Sequence, residues 1–175
     1  MDKVIIRKAV VDDAAEIANV HTNSWREAYK SLLPQAFLDE RPLYFKNRYE
    51  MWKKVLSKDD DLTYVAESEN SGIVGFSNGG MGRDEDKVKM GEVYAIYLLE
   101  AFQGRGIGFD LLKACFNSFK EKSINEAYLW VLKDNPTERF YQRTGGVKLD
   151  EIKDHVIADK AVQELCYYWN DLARI

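Results

Sequence analysis

YAIYLLEAFQGRGIGFDLL, residues 94–112, runs from an apolar stretch through a glycine-rich turn into a second apolar pattern. The residues from Glu92 to Leu99 read as a strand, whereas Leu111, Leu112, Cys115, Phe116 and Phe119 fall on one face of a helix over Phe109 to Ser123. A strand that turns straight into a helix leaves the first helical N–H groups without intrahelical partners. Gly104, Gly106 and Gly108 remove side chains from alternate residues at that point, so an anion can reach the amides directly and the helix dipole favours it. Three glycines in five residues with Arg105 between them exceed what a tight strand–helix joint requires. Two familiar phosphate loops do not fit. A dinucleotide fingerprint framed on Gly106 needs glycine where Leu111 stands, and a P-loop needs Lys and Ser or Thr where Phe109 and Asp110 follow Gly108.

Working outward, Val4 to Arg7 reads as a strand, and DDAAEIANVHTNSW as a helix with a capping-box pattern from Asp13 to Glu16 and with Ile17, Val20, His21 and Ser24 on one face. Phe45, Tyr49, Trp52 and Leu56 mark a second helix. LTYVAESENSGIVGFSNGG predicts two strands around an Asn-Ser-Gly turn, and RDEDKVK a solvated loop. After the glycine turn, AYLWVL is a buried strand. In DNPTERFYQRTGG, Asn135 is placed as an N-cap, Pro136 at the first helical position and Glu138 as the box partner, with Gly145 and Gly146 as the stop. GVKLDEI and VQELCYYWNDL give two final strands, with His155 in the polar connection between them. The expectation is a single α/β (α+β) domain over residues 1–175, with a mixed, mostly antiparallel sheet of six to seven strands, about four helices and one βαβ unit.

Composition narrows the function. With 175 residues and 46% hydrophobic content the chain can bury one ordinary core, and no run of about 18 apolar residues suggests a membrane span. The opening MDKVIIRKAV has no signal-peptide pattern, so the expected compartment is the cytoplasm. A net charge of −4 without a basic stripe argues against nucleic acid or an anionic membrane and is compatible with a cationic small substrate. Cys115 and Cys166 sit singly in apolar segments, as buried thiols rather than a disulfide or metal set, and His21 on an apolar helix face reads as a core histidine.

QGRGIG matches Gln/Arg-x-x-Gly-x-Gly/Ala, the acyl-CoA pyrophosphate signature of the GNAT superfamily of N-acetyltransferases, at that family's strand–helix junction. LWVLKDNP resembles its fifth strand and RFYQRTGG its Phe-Tyr helix, so the likeness covers nearly the whole chain. The resemblance implies acetyl-CoA as co-substrate and no metal. It implies that the backbone of Ile96, Tyr97 and Leu98 pairs with the pantetheine arm, with the Leu98 N–H near the thioester oxygen. The amides of Gly104, Arg105, Gly106, Ile107 and Gly108 would hold the pyrophosphate, with the side chains of Gln103 and Arg105 beside it. Asn135 would bond the pantetheine or order Tyr141, the expected proton donor to the departing thiolate. Two departures stand out: Asn135 precedes Tyr141 by six residues where many members have seven, and Gly146 replaces the usual Phe.

The chemistry itself asks for a base and an acid. A lysine-like ammonium of pKa about 10.4 is roughly 99.9% protonated at neutral pH, so exposing its lone pair costs on the order of 4 kcal/mol before attack. Glu92, in period-two register with Tyr94, Ile96 and Leu98, is the expected base, directly or through water. Trp25, Tyr29 and Phe37 lie in the segment that borders the acceptor pocket in this family, and with Tyr94 they are candidate acceptor contacts. The expected reaction is direct acetyl transfer to a primary amine of a small molecule or peptide, with no covalent enzyme intermediate. A non-catalytic acyl-CoA sensor and a structural homodimer module are the alternatives, and the family resemblance also allows a homodimer of the enzyme.

Overall fold

The computed structural model describes residues 2–31, 33–39, 41–157 and 159–175, and of Phe37 and residues 41–44 the backbone alone. The elements are β1 (Val4–Lys8), α1 (Ala14–Tyr29), α2 (Gln35–Asp39), α3 (Arg41–Leu56), β2 (Leu62–Ser68), β3 (Gly72–Met81), β4 (Gly91–Leu98), α4 (Ile107–Glu121), β5 (Ala127–Leu132), α5 (Glu138–Arg143), β6 (Val147–Ile157) and β7 (Lys160–Trp169). One seven-stranded sheet runs in the order β1-β2-β3-β4-β5-β7-β6. Among the described residues its pairs are antiparallel except β4–β5, the two strands joined by the α4 crossover. The expected fold is thus the observed one, with α2 as a five-residue addition to the four flanking helices.

Each face of the sheet has its own helical layer. On one, Leu112, Cys115, Phe116 and Phe119 of α4 pack on Val93, Leu129, Val131 and Trp169, while Leu111 packs on Ala66, Val74, Ile96 and Leu98. On the other, Ile17, Ala18 and Val20 of α1 and Trp52 and Leu56 of α3 enclose Val65, Phe76, Ala95 and Tyr97. The Phe that Gly146 lacks is made good by Trp169: a Cβ on Gly146 would lie 2.7 Å from that indole, which occupies the space. Both cysteines are buried, and burial pushes their thiols up to about 12, so neither is a thiolate at neutral pH.

Local expectations failed where long-range partners intervened. Asp13 and Glu16 form no capping box with each other. Asp13 takes Arg7 Nη1 at 2.7 Å and the Val10 N–H at 2.8 Å, and Glu16 reaches across to the Ile73 N–H at 2.9 Å. The charged segment 83–89 is not a free loop: Asp84 accepts from Trp130 Nε1 at 2.9 Å and pairs with Lys153, while the buried Lys87 pairs with Glu151 and Asp86. It straps β6 to the sheet face opposite α4. His155 belongs to β6 rather than to a loop, paired with Val162 in the ladder and with Glu164 at 2.8 Å.

His21 is held in the α1 layer as a neutral acceptor, taking Trp52 Nε1 at 3.3 Å and stacking on Tyr97 at 5.0 Å. Burial, with a smaller contribution from Arg48, pushes its pKa from 6.5 down to about 3. The unfolded chain therefore binds a proton here between about pH 6.5 and 3 that the folded chain does not, and stability falls as pH falls through that window, by about 1.4 kcal/mol per pH unit. Urea unfolding should find the native protein roughly 2 kcal/mol less stable at about pH 5 than at neutrality through this group, and His21→Gln should remove that share of the slope. An unchanged slope would show that His21 charges freely in the fold.

Candidate active site

The site arises because β4 and β5 part company. They pair only at Gly91–Ala127 and Glu92–Tyr128, and beyond those residues the two strands splay. A cavity of about 380 Å³ fills the gap: Val93 to Leu98 form one wall, Leu129, Trp130 and Val131 the other, and Asn135 to Thr137 with Tyr141 close one end. Ser24, Glu27, Ala28 and Tyr29 of α1 form the roof. The Leu99 N–H donates to Val74 O at 3.0 Å, toward β3. By strand alternation Leu98 therefore turns its N–H and C=O the other way, toward the gap, and Gln103 Nε2 donates to that C=O at 3.1 Å.

The glycine turn follows directly on Gln103, which lines the cavity. Gly104 and Gly106 have φ of +72° and +83°, a conformation that only glycine adopts cheaply, and a Cβ on either would meet nothing within 4 Å. Gly106 is the N-cap of α4 and offers no side-chain cap, so the first amides of the helix face open space. That arrangement fits a pyrophosphate. The Ile107 side chain is buried in the core, leaving its backbone for the site. Arg105 turns toward the start of the chain, giving Nη2 to Asp2 O at 2.9 Å, with its guanidinium over the Phe102 ring.

Tyr141 is 6% exposed and wedged among Phe140, Tyr167 and Trp169. Burial holds its phenol well above the ordinary range, so it keeps its proton at any physiological pH. Asn135 does not bond Tyr141 directly. Its Oδ1 accepts the Thr137 N–H at 3.0 Å and the Thr137 hydroxyl at 2.8 Å, which fixes the turn that leads into α5. Thr137, not Asn135, caps α5. Tyr29 meets Tyr97, and burial raises both phenols. Trp25 stands behind Tyr29 at 5.1 Å, outside the cavity lining, and Phe37 has no described side chain.

Glu92 is the residue that strict alternation misplaced. Asn78 pairs with Ala95 and Gly79 with Val93, so Tyr94 is an extra residue in β4. A bulge reverses the parity of side chains on either side of it. Val93 thus shares the α4 face with Ile96 and Leu98, and Glu92 lies on the opposite face. There its carboxylate takes Arg83 Nη2 at 2.5 Å, the Arg83 N–H at 2.9 Å and the Tyr128 hydroxyl at 2.9 Å, and it does not line the cavity. Tyr94 does line it, with its ring under the Arg83 guanidinium and its hydroxyl on Met81 O at 2.6 Å. Pattern reading missed Ser24, Glu27 and Trp130. Only Ser24 carried a signal, as a hydroxyl on the apolar face of α1.

The chain belongs to the acetyltransferase (GNAT) family, whose model matches residues 22–146. It is similar to an uncharacterized N-acetyltransferase of Bacillus subtilis (strain 168), YuaI, at 32% identity over 98% of this chain and 96% of that one. Its fold resembles PaiA N-acetyltransferase from Thermoplasma acidophilum in complex with coenzyme A, with a TM-score of 0.73 and 21% identity over 93% of this chain and 98% of that chain. It also resembles yncA of Salmonella typhimurium, a structure with acetyl-CoA, with a TM-score of 0.70 and 18% identity over 97% and 94% of the two chains. Among the described residues no helix is long and apolar enough to cross a membrane, and no cluster of ligating side chains suits a metal.

Proposed function

We propose that this acetyltransferase passes the acetyl group of acetyl-CoA directly to a primary amine of a small molecule or peptide, with no covalent enzyme intermediate. One observation carries the reading: the cavity in the β4–β5 splay is lined both by Gln103, the residue before the glycine turn, and by Tyr141, with the β4 edge between them. Acetyl-CoA supplies a thioester carbonyl and a thiolate leaving group. The amides of residues 104–108 hold its pyrophosphate, and the strand edge at Ile96 and Leu98 aligns its arm. The Leu98 N–H, fixed by the sheet, meets the charge that gathers on the carbonyl oxygen. Tyr141 gives its proton to the sulfur. Glu27 and Glu100 on the cavity lining, against Lys30, suit an acceptor that arrives as a cation.

Deprotonation of that cation falls to water in the cavity, because Glu92 presents its oxygens to Arg83 and Tyr128. Glu92→Gln should therefore lower the unfolding free energy by about 1–3 kcal/mol, the cost of unmatched buried donors, and leave the pH profile of kcat/KM unchanged in shape. Loss of the rising limb of that profile, with native stability, would return Glu92 to the role of base. The function itself is tested by incubating the protein with acetyl-CoA and a panel of primary amines and following free thiol. Release with at least one amine is expected; tight CoA binding without release would make the protein a sensor.

A further inference from the structure

One buried hydroxyl, the Oγ of Ser24, finds no hydrogen-bond partner among the described residues. Ser24 is 4% exposed and lines the cavity. A serine inside a helix ordinarily returns its hydroxyl to the carbonyl four residues back. Thr22, one position away from the same face, does so to Ala18 O at 2.7 Å, and Ser24 does not. Leaving a buried hydroxyl unmatched costs about 1–3 kcal/mol, and such groups in native proteins call for an explanation.

The layering of the fold says what would supply the missing partner. The glycine amides belong to α4, so the cofactor enters the splay from the α4 side of the sheet. Ser24 belongs to α1, on the other face, one turn beyond His21, whose ring stacks on Tyr97 of β4. A nucleophile that attacks a carbonyl held in the plane of the sheet must come to it from the face the cofactor does not occupy. That is the face roofed by α1.

We infer that Ser24 is an acceptor-positioning residue: its Oγ takes an N–H of the incoming amine and sets the direction of attack. The inference rests on the transferase reading above and adds a residue to it. A hydroxyl suits the task in both protonation states of the nitrogen, since it accepts from the ammonium and from the neutral amine alike. The hydroxyl makes no bond to another described side chain or backbone group, so it stands free to meet the acceptor.

Ser24→Ala tests this, because alanine is the best helix former and removes only the hydroxyl. Thermal unfolding of the free protein, calorimetric acetyl-CoA binding, and thiol release with benzylamine, putrescine, lysine amide and an alanyl dipeptide would be measured for both forms. The free variant should be as stable as the native protein or more so. Its acetyl-CoA Kd should stay within about twofold, and the KM of the most reactive amine should rise about five- to fiftyfold, as expected for one hydrogen bond lost from a buried site. A lowered Tm with unchanged amine KM would make Ser24 a structural group bonded through water and overturn the inference. So would unchanged values of both. If the native protein releases no thiol with any amine, the transferase reading fails first and the role of Ser24 fails with it, an outcome told apart by being visible without the variant.

Discussion

Tyr141→Phe should lower kcat by about 10²- to 10⁴-fold, the usual worth of a general acid, while acetyl-CoA affinity stays nearly native. The substitution keeps the ring that packs against Phe140, Tyr167 and Trp169 at 5.3, 5.7 and 6.2 Å, so the α5 layer should hold. What disappears is one proton, held on the phenol by burial and facing the end of the cavity. A thiolate leaving without it must take its proton from water that no phenol positions. The effect belongs to kcat at saturating amine, and single-turnover measurements would establish that chemistry rather than product release is being read. Native single-turnover rates in the variant would leave Tyr141 as a packing residue of α5.

Gly106→Val should weaken acetyl-CoA binding at least tenfold, about 1.4 kcal/mol, in a protein that still folds. The φ of +83° is costly for a β-branched side chain, on the order of 1–3 kcal/mol, so the turn will shift and carry its amides with it. No protein atom lies within 4 Å of the new Cβ, so the core is not disturbed. Gly108→Glu attacks the same site differently. Its Cβ would meet Phe140 at an ordinary 3.6 Å, and a carboxylate in the first turn of α4 favours the helix, yet it places negative charge where the pyrophosphate must lie. A variant of at least native stability with impaired binding is the expected result. Unchanged affinity in both folded variants would reduce QGRGIG to a packing joint.

Much of the site was legible because its signals are local. Alternate glycines between a strand and a helix report on backbone conformation within six residues, and φ is positive at Gly104 and Gly106. The faces of α1, α3 and α4 follow from helical periodicity, and the buried thiols and neutral His21 from their place in those patterns. Glu92, by contrast, was misread for a reason no period can reveal. The bulge at Tyr94 is set by how β4 registers against the glycines of β3, and one extra residue moves every preceding side chain to the other face.

By itself, then, the sequence determined the order of strands and helices, the glycine turn at residues 104–108 and the position of Tyr141 after a short capped turn, since each depends on neighbours a few residues apart. Only the tertiary structure decided that β4 and β5 separate after Glu92 and Tyr128, that Arg83 and Tyr128 claim the Glu92 carboxylate, and that Ser24 is left over the cavity with no partner among the described residues. The physical reason is the same in all three. Where a polar group finds its partner depends on segments far apart in the chain, and the free energy of that pairing is settled only when the layers of the fold close around it.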